Sequence, residues 1–88
     1  MVQIFFIYSE NCNHCQQALS LIESAVLKCK KIPCEIKKFL YNSPVAISIA
    51  INNEIDDLPG FVIGNSVFKG NNYTEEDIIL AIKNKAKK

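Results

Sequence analysis

The apolar residues of this chain change their spacing along its first half, and each change predicts a different element. Val2–Tyr8 is almost continuously apolar and rich in β-branched and aromatic residues, which is typical of a strand buried on both faces. From Cys15 onward the apolar positions recur every three or four residues, which predicts an amphipathic helix that ends before Pro33. The positions with this spacing are Leu19, Ile22, Val26 and Cys29.

The middle of the chain predicts an edge strand and a short helix. Cys34–Leu40 carries charges at alternate positions, as strands at the edge of a sheet do. Residues 45–51 alternate strictly, as a strand would, but their apolar members also line up at helical spacing. Ser43-Pro44 immediately before them is a typical helix start, with serine as the N-cap and proline in the first turn. We therefore expect a helix here, ended by Asn52-Asn53.

The last third of the chain predicts a β-hairpin and a helix. Phe61–Ile63 and Ser66–Phe68 flank Gly64-Asn65, a two-residue turn in which both residues tolerate positive φ. Thr74 is the expected N-cap of the final helix, and Asp77 follows three residues later in the place that Glu usually takes in a capping box.

In chain order these elements are strand, helix, strand, helix, hairpin and helix, and no linker or repeat divides residues 1–88. With a right-handed crossover the first two strands are parallel, and the hairpin adds antiparallel strands. The order predicts one domain with the thioredoxin fold, an α/β architecture β-α-β-α-β-β-α whose four-stranded mixed sheet is covered by helices on both faces.

Composition narrows the function classes. Ten lysines, no arginine and nine acidic residues leave a net charge of +1, so the chain lacks the basic stripe of a nucleic-acid-binding protein. The apolar start is too short for a signal peptide, and no apolar run is long enough to span a membrane. We expect a cytoplasmic monomer, in which four cysteines indicate chemistry rather than structural disulfides.

Cys12-Asn13-His14-Cys15 follows the first strand and opens the first helix. A cysteine at a helix N-terminus faces unpaired backbone N–H groups and the positive end of the helix dipole, both of which favour thiolate over thiol. Cys15 lies one turn further on, close enough to form a disulfide with Cys12. We therefore expect Cys12 to attack a substrate disulfide and Cys15 to resolve the mixed disulfide.

Three motifs resemble those of glutaredoxins and thioredoxins. They are Ile7-Tyr8-Ser9 before the Cys-x-x-Cys pair, Leu58-Pro59 before the hairpin, and Val67-Phe68-Lys69-Gly70 at its end. The resemblance covers essentially the whole chain. It implies a thiol-disulfide oxidoreductase in which Pro59 is cis and lies against the cysteine pair, and Leu58 offers its backbone to an extended substrate. We expect Tyr8 to pack in the sheet and, with Leu58 and Pro59, to contribute to substrate binding.

The resemblance also implies partners: a disulfide-containing protein substrate, with ribonucleotide reductase as the default by family analogy, and an upstream reductant, either thioredoxin reductase or glutathione. Glutathione would be a co-substrate, and no bound cofactor or metal is expected. The sequence does not decide between the two electron donors, or between reduction and oxidation as the direction of electron flow.

Several departures from the glutaredoxin pattern bear on glutathione. Asn13-His14 replaces the usual Pro-Tyr, Glu10 stands where a lysine is common, and Gly70-Asn71 replaces a glycine pair. The expected rim of the site carries Glu10, Asp57 and Glu75, with Lys69 as the one nearby cation. Like-charge repulsion then disfavours glutathione and favours a protein disulfide, by a modest amount for exposed charges.

His14 and the remaining cysteines each have two or more interpretations. His14 resembles the histidine that stabilises the thiolate in oxidising members of the superfamily, or it is an exposed polar residue with little effect. Cys29 fits the apolar face of the helix as a small buried hydrophobe. Cys34 could be an exposed thiol, a core residue or the partner of Cys29.

Three other function classes compete with a protein-disulfide reductase. The first is a glutathione-dependent glutaredoxin. The second is a metal protein that uses Cys12, His14, Cys15, Cys29 and Cys34 for zinc, or that shares an iron–sulfur cluster between subunits. The helix would place Cys29 about 20 Å from Cys15, which disfavours a mononuclear site. The third is a non-catalytic adaptor, which would have no use for a resolving cysteine.

Overall fold

The computed structural model of this chain describes residues 1–87, which form four strands and three helices. The order of the elements agrees with the sequence pattern. The strands are β1 (Val2–Tyr8), β2 (Cys34–Leu40), β3 (Gly60–Ile63) and β4 (Ser66–Lys69). The helices are α1 (Asn13–Lys28), α2 (Pro44–Asn52) and α3 (Glu75–Ala86).

The strands form one mixed sheet in the order β2-β1-β3-β4. β1 runs parallel to β2, from Val2 opposite Cys34 to Tyr8 opposite Leu40, and antiparallel to β3. β3 pairs with β4 as an antiparallel hairpin through Gly64, whose φ of 59° suits glycine. The almost continuously apolar strand is therefore internal, and the strand with alternating charges lies at an edge, as predicted.

The main hydrophobic core lies on one face of the sheet, between the strands and helices α1 and α3. Val2, Ile4 and Phe6 point into it from alternate positions of β1 and pack with Ile22 of α1 and Ile78 of α3. On the other face lie Ile7 of β1 and Ala46 of α2, which are buried but belong to no part of this cluster. The sheet is thus covered by helices on both faces.

Local capping explains where the helices begin. Ser43 has an extended backbone and its side chain accepts a hydrogen bond from the N–H of Ala46 at 3.3 Å, which confirms the predicted start of α2. At α3, the Thr74 hydroxyl accepts from the N–H of Asp77, and the Asp77 carboxylate accepts from the N–H of Thr74. Aspartate therefore completes the capping box as glutamate does elsewhere. Within residues 1–87, no helix combines the length and the apolarity needed to cross a bilayer.

Candidate functional site

Cys12 and Cys15 lie at the start of α1, shortly after the end of β1. Cys12 is the N-cap of α1, with an extended backbone at φ −122° and ψ 104°, and Cys15 sits in the first helical turn. Their Cα atoms are 5.2 Å apart and their sulfurs are joined as a disulfide, a separation that suits such a bond. Cys12 is partly exposed, whereas Cys15 is only 3% exposed. The two sulfurs thus differ in their access to a substrate.

The backbone of α1 directs a hydrogen-bond donor at Cys12. The N–H of Cys15 donates to Cys12 Sγ at 3.1 Å. A donor in this position stabilises negative charge on the sulfur, and the positive end of the α1 dipole acts in the same direction. Cys12 therefore occupies the place that serine or threonine takes at other helix starts, with a sulfur that reacts rather than an oxygen that only caps.

A cavity of about 300 Å³ opens beside the cysteine pair, and we call it the cysteine cavity. Both cysteines line it, together with aromatic, polar and charged side chains from β1, its following turn, α1 and β2. These include Tyr8, Glu10, Gln16 and Lys38. The prediction that Tyr8 lies near the site agrees with this placement, because the Tyr8 ring shares the cavity wall with both cysteines.

Asn13 and His14 lie outside the cysteine cavity. Both are in the first turn of α1, and both side chains are exposed. Neither side chain forms a hydrogen bond or ion pair within the part of the chain that the structure describes. His14 is thus an exposed polar residue, as one of its two interpretations expects. An effect of His14 on the cysteines stays a prediction.

Leu58 and Pro59 connect α2 to β3 next to the end of β1. The peptide bond between them is cis, as the resemblance implies. Pro59 is fully buried, and Leu58 is half-buried against the same core cluster that Cys12 and Tyr8 contact. The Pro59 carbonyl accepts a hydrogen bond from the N–H of Gly70 at 2.9 Å. Direct contact of Pro59 with the cysteine pair, and a substrate-binding role of Leu58, stay predictions.

The expectation that Glu75 lies at the rim of the site is wrong. Instead of facing the cysteines, the Glu75 carboxylate accepts hydrogen bonds from the Ser24 hydroxyl and from Lys28 Nζ, both on α1. Ser24 is twelve residues beyond Cys12, or about 18 Å along the helix. These bonds, that of Ser24 first, hold the pKa of Glu75 below its ordinary value. Glu75 thus fastens α3 to α1 and lies away from the site.

The structure also corrects the expectation of a single nearby cation at Lys69. Lys69 forms an exposed ion pair with Asp56 at 2.8 Å, so a ligand carboxylate would have to compete with Asp56 for it. Lys38, on β2, lines the cysteine cavity, as does Glu10. The parallel register that sets Lys38 opposite Phe6 of β1 brings it there. The sequence shows that β2 carries Glu35, Lys37 and Lys38, but it does not specify which of these side chains faces the cavity.

The remaining cysteines lie at the other end of α1. Cys29 is the C-cap of the helix and is 5% exposed, so its interpretation as a buried small hydrophobe is confirmed. Cys34 begins β2, and both thiols are free. Within residues 1–87, no three His, Cys, Asp or Glu side chains are grouped so as to hold a metal ion. The sixteen residues of α1 separate the two cysteine pairs by about 24 Å.

Comparison with known proteins shows a likeness in fold alone. No protein-family model matches the chain, and no curated protein sequence is similar to it. A solved structure, described as that of a malarial protein, superposes with a TM-score of 0.65 over 96% of both chains, at 16% sequence identity. The two chains therefore share a small α/β fold with a four-stranded mixed sheet.

Proposed function

We propose that this protein is a thiol-disulfide oxidoreductase with the thioredoxin fold, related to glutaredoxins and thioredoxins, which reduces protein disulfides through Cys12 and Cys15. The observation that carries the proposal is the Cys15 N–H directed at Cys12 Sγ at the start of α1. A structural disulfide needs no such stabilisation of one sulfur, whereas a nucleophilic thiolate does.

The difference in exposure assigns a role to each sulfur. In the reduced protein, the Cys12 thiolate attacks a substrate disulfide, forms a mixed disulfide and releases one substrate thiol. Cys15, buried directly behind it, then loses its proton and attacks Cys12 Sγ. The second substrate thiol leaves, and the Cys12–Cys15 disulfide remains. An upstream dithiol or glutathione returns the two electrons.

Charge around the cysteine cavity supports a protein substrate. Glu10 lines the cavity, and Asp57 is exposed at the start of the Leu58-Pro59 segment, where it accepts a hydrogen bond from the N–H of Leu58. With Lys69 paired to Asp56, the Glu10 carboxylate repels the anionic ends of glutathione in the cavity, and Asp57 adds to this repulsion from outside the cavity. The predicted target, ribonucleotide reductase, rests on the resemblance alone.

Lys38 favours a second candidate, a glutathione-dependent glutaredoxin. Lys38 lines the same cavity as both cysteines, so its ammonium group could pair with a glutathione carboxylate. The two candidates share the cysteine chemistry and differ in the substrate. A Lys38→Glu variant separates them, because it would weaken glutathione binding while leaving the nucleophile in place.

Reduction of insulin disulfides tests the proposal, with dithiothreitol or a thioredoxin reductase system as the electron source. We expect turnover by the wild-type chain and by Cys34→Ser, which changes the same kind of residue at the far end of α1. We expect background rates from Cys12→Ser. Equal rates for Cys12→Ser and the wild type, or no rate from either, would reject the enzyme and favour an adaptor.

A parallel assay with a glutathionylated peptide and glutathione as the electron source decides the substrate class. The proposal predicts weak activity there that does not saturate with the peptide. Saturable activity that Lys38→Glu reduces by about tenfold or more would replace the protein-disulfide reductase by the glutathione-dependent enzyme.

A further inference from the structure

The C-terminal end of α1 carries a second pair of thiols that the proposed function does not use. Cys29 caps the helix, and Cys34 follows five residues later at the start of β2. A turn folds the intervening segment back, because the N–H of Ile32 donates to the Cys29 carbonyl at 3.0 Å. The Cys34 thiol in turn donates to the Ile32 carbonyl at 3.4 Å. Both side chains pack into the same hydrophobic cluster.

The two thiols have different exposure, in the same pattern as the first pair. Cys29 is 5% exposed, whereas Cys34 is partly exposed at the edge strand. Cys34 is therefore the more accessible thiol of the pair, and we expect a reagent to react with it first. Burial first, and then the neighbouring Cys29, raise the pKa of the Cys34 thiol. The influence of Cys29 on Cys34 agrees with their shared position in the cluster.

A cationic cavity lies beside this pair, and we call it the basal cavity. It has a volume of about 550 Å³ and is lined by Lys31 and Lys85, with Ile32 and Pro33 from the turn that joins the two cysteines. Val2, the pairing partner of Cys34 in the sheet, lines it as well. The charged side chains in its lining are both positive, so the cavity suits an anionic molecule beside the turn that leads into Cys34.

We propose that Cys29 and Cys34 form a second redox-active dithiol, a modification site that is oxidised to an intramolecular disulfide by an anionic low-molecular-weight disulfide of the glutathione-disulfide class. The Cys34 thiolate attacks one sulfur of the oxidant and releases one thiolate of it, leaving a mixed disulfide on Cys34. Cys29 then loses its proton and attacks Cys34 Sγ, and the second oxidant thiolate leaves. Two electrons pass from the dithiol to the oxidant, which becomes two thiols.

This reaction is slower than exchange at Cys12. The attacking thiol, Cys34, donates to the Ile32 carbonyl, which favours the thiol form. Cys12 Sγ instead accepts from a backbone N–H at the positive end of the α1 dipole, which favours a thiolate. The protein would therefore oxidise in two stages, first at Cys12 and Cys15 and then at Cys29 and Cys34. The second stage does not depend on the first pair being an enzyme.

The oxidised chain, with its Cys12–Cys15 disulfide intact, provides the test because Cys29 and Cys34 are then its free thiols. Incubation with glutathione disulfide is followed by mass spectrometry and peptide mapping. We expect both thiols to disappear together, no glutathione to stay attached, and a Cys29–Cys34 linkage to appear. A urea-unfolded sample serves as the control for the reagent. The proposal would be overturned if the folded protein kept its free thiols after the unfolded control had reacted completely. A stable glutathione adduct on wild-type Cys34, or disulfide links between chains, would also overturn it.

Two variants and a neutral reagent sharpen the result. Cys29→Ala, which keeps a small apolar side chain, should accumulate the mixed disulfide on Cys34, and Cys34→Ser should leave Cys29 unmodified. Lys31→Glu should slow the reaction with glutathione disulfide about fivefold but change that with neutral hydroxyethyl disulfide less than about twofold. If Lys31→Glu slowed the reactions with both reagents equally, the role of the basal cavity would be overturned. Circular dichroism checks that each variant is folded.

Discussion

The two ends of helix α1 place similar cysteine pairs in opposite environments. At the N-terminal end, Cys12 faces a backbone N–H and the positive end of the helix dipole, beside a cavity that contains Glu10. At the C-terminal end, Cys29 faces the negative end of the same dipole, and the adjacent basal cavity is lined by Lys31 and Lys85. In each pair one thiol is buried and the other is partly exposed.

The two pairs differ in the hydrogen bonds that their position on α1 gives them, and we expect this difference to set their reactivity. A backbone donor lies 3.1 Å from Cys12 Sγ, whereas Cys34 itself donates to a carbonyl group. The first arrangement stabilises a thiolate and the second stabilises a thiol. We therefore expect fast exchange at the first pair and slow oxidation at the second.

Removing the resolving cysteine should produce the largest effect. Without Cys15, the mixed disulfide at Cys12 cannot be resolved within the protein, so Cys15→Ser should lower steady-state insulin reduction by about a hundredfold or more. The first attack should survive and trap the substrate on Cys12, which a non-reducing gel detects. Cys29→Ala, the matched change in the second pair, should retain activity. If Cys15→Ser turned over normally, the assigned roles of the first pair would be wrong.

A substitution that creates a cavity in the middle of α1 should destabilise the folded protein. Ile22 is fully buried between the two cysteine pairs, so Ile22→Ala should lower the free energy of unfolding by about 2–5 kcal/mol in urea denaturation. Leu27→Ala removes an exposed side chain of the same size from the same helix and should change this free energy by less than about 0.5 kcal/mol. Similar losses for the two variants would contradict the described core.

The smallest effect concerns the contact that fastens α3 to α1. The pKa of Glu75 is lowered in the folded protein by the Ser24 hydroxyl and Lys28, so its ionisation stabilises the fold above the ordinary pKa of 4.5. That contribution is lost as the pH falls below 4.5 and the carboxylate protonates. Glu75→Gln should therefore be less stable than the wild type near neutrality, with a difference that shrinks in acid. Thermal melts at several pH values measure it, and a constant difference would rule out the carboxylate as its source.

Most of the fold could be predicted because its signals are local. Ser43 decided in favour of a helix at α2 although residues 45–51 alternate like a strand, and Thr74 with Asp77 marked the start of α3. The apolar run of β1 is also a local signal, because a strand buried on both faces is apolar at almost every position.

The charges of the candidate site could not be predicted in the same way. Glu75 was expected at the rim from its place in the chain, but the packing of α3 on α1 takes it to Ser24 and Lys28. Lys38 reaches the cysteine cavity through the register of two parallel strands. Both depend on contacts between residues far apart in sequence, which a local pattern does not encode.

The rates at which the thiols of the fully reduced protein react test the central comparison most directly. Iodoacetamide is added at neutral pH, and each cysteine is followed by peptide mass spectrometry in the same sample. We expect Cys12 to be alkylated at least about tenfold faster than Cys34. The buried Cys15 and Cys29 should react more slowly than Cys12 and Cys34, respectively. Alkylation of Cys34 as fast as Cys12, in a chain that circular dichroism shows to be folded, would contradict it.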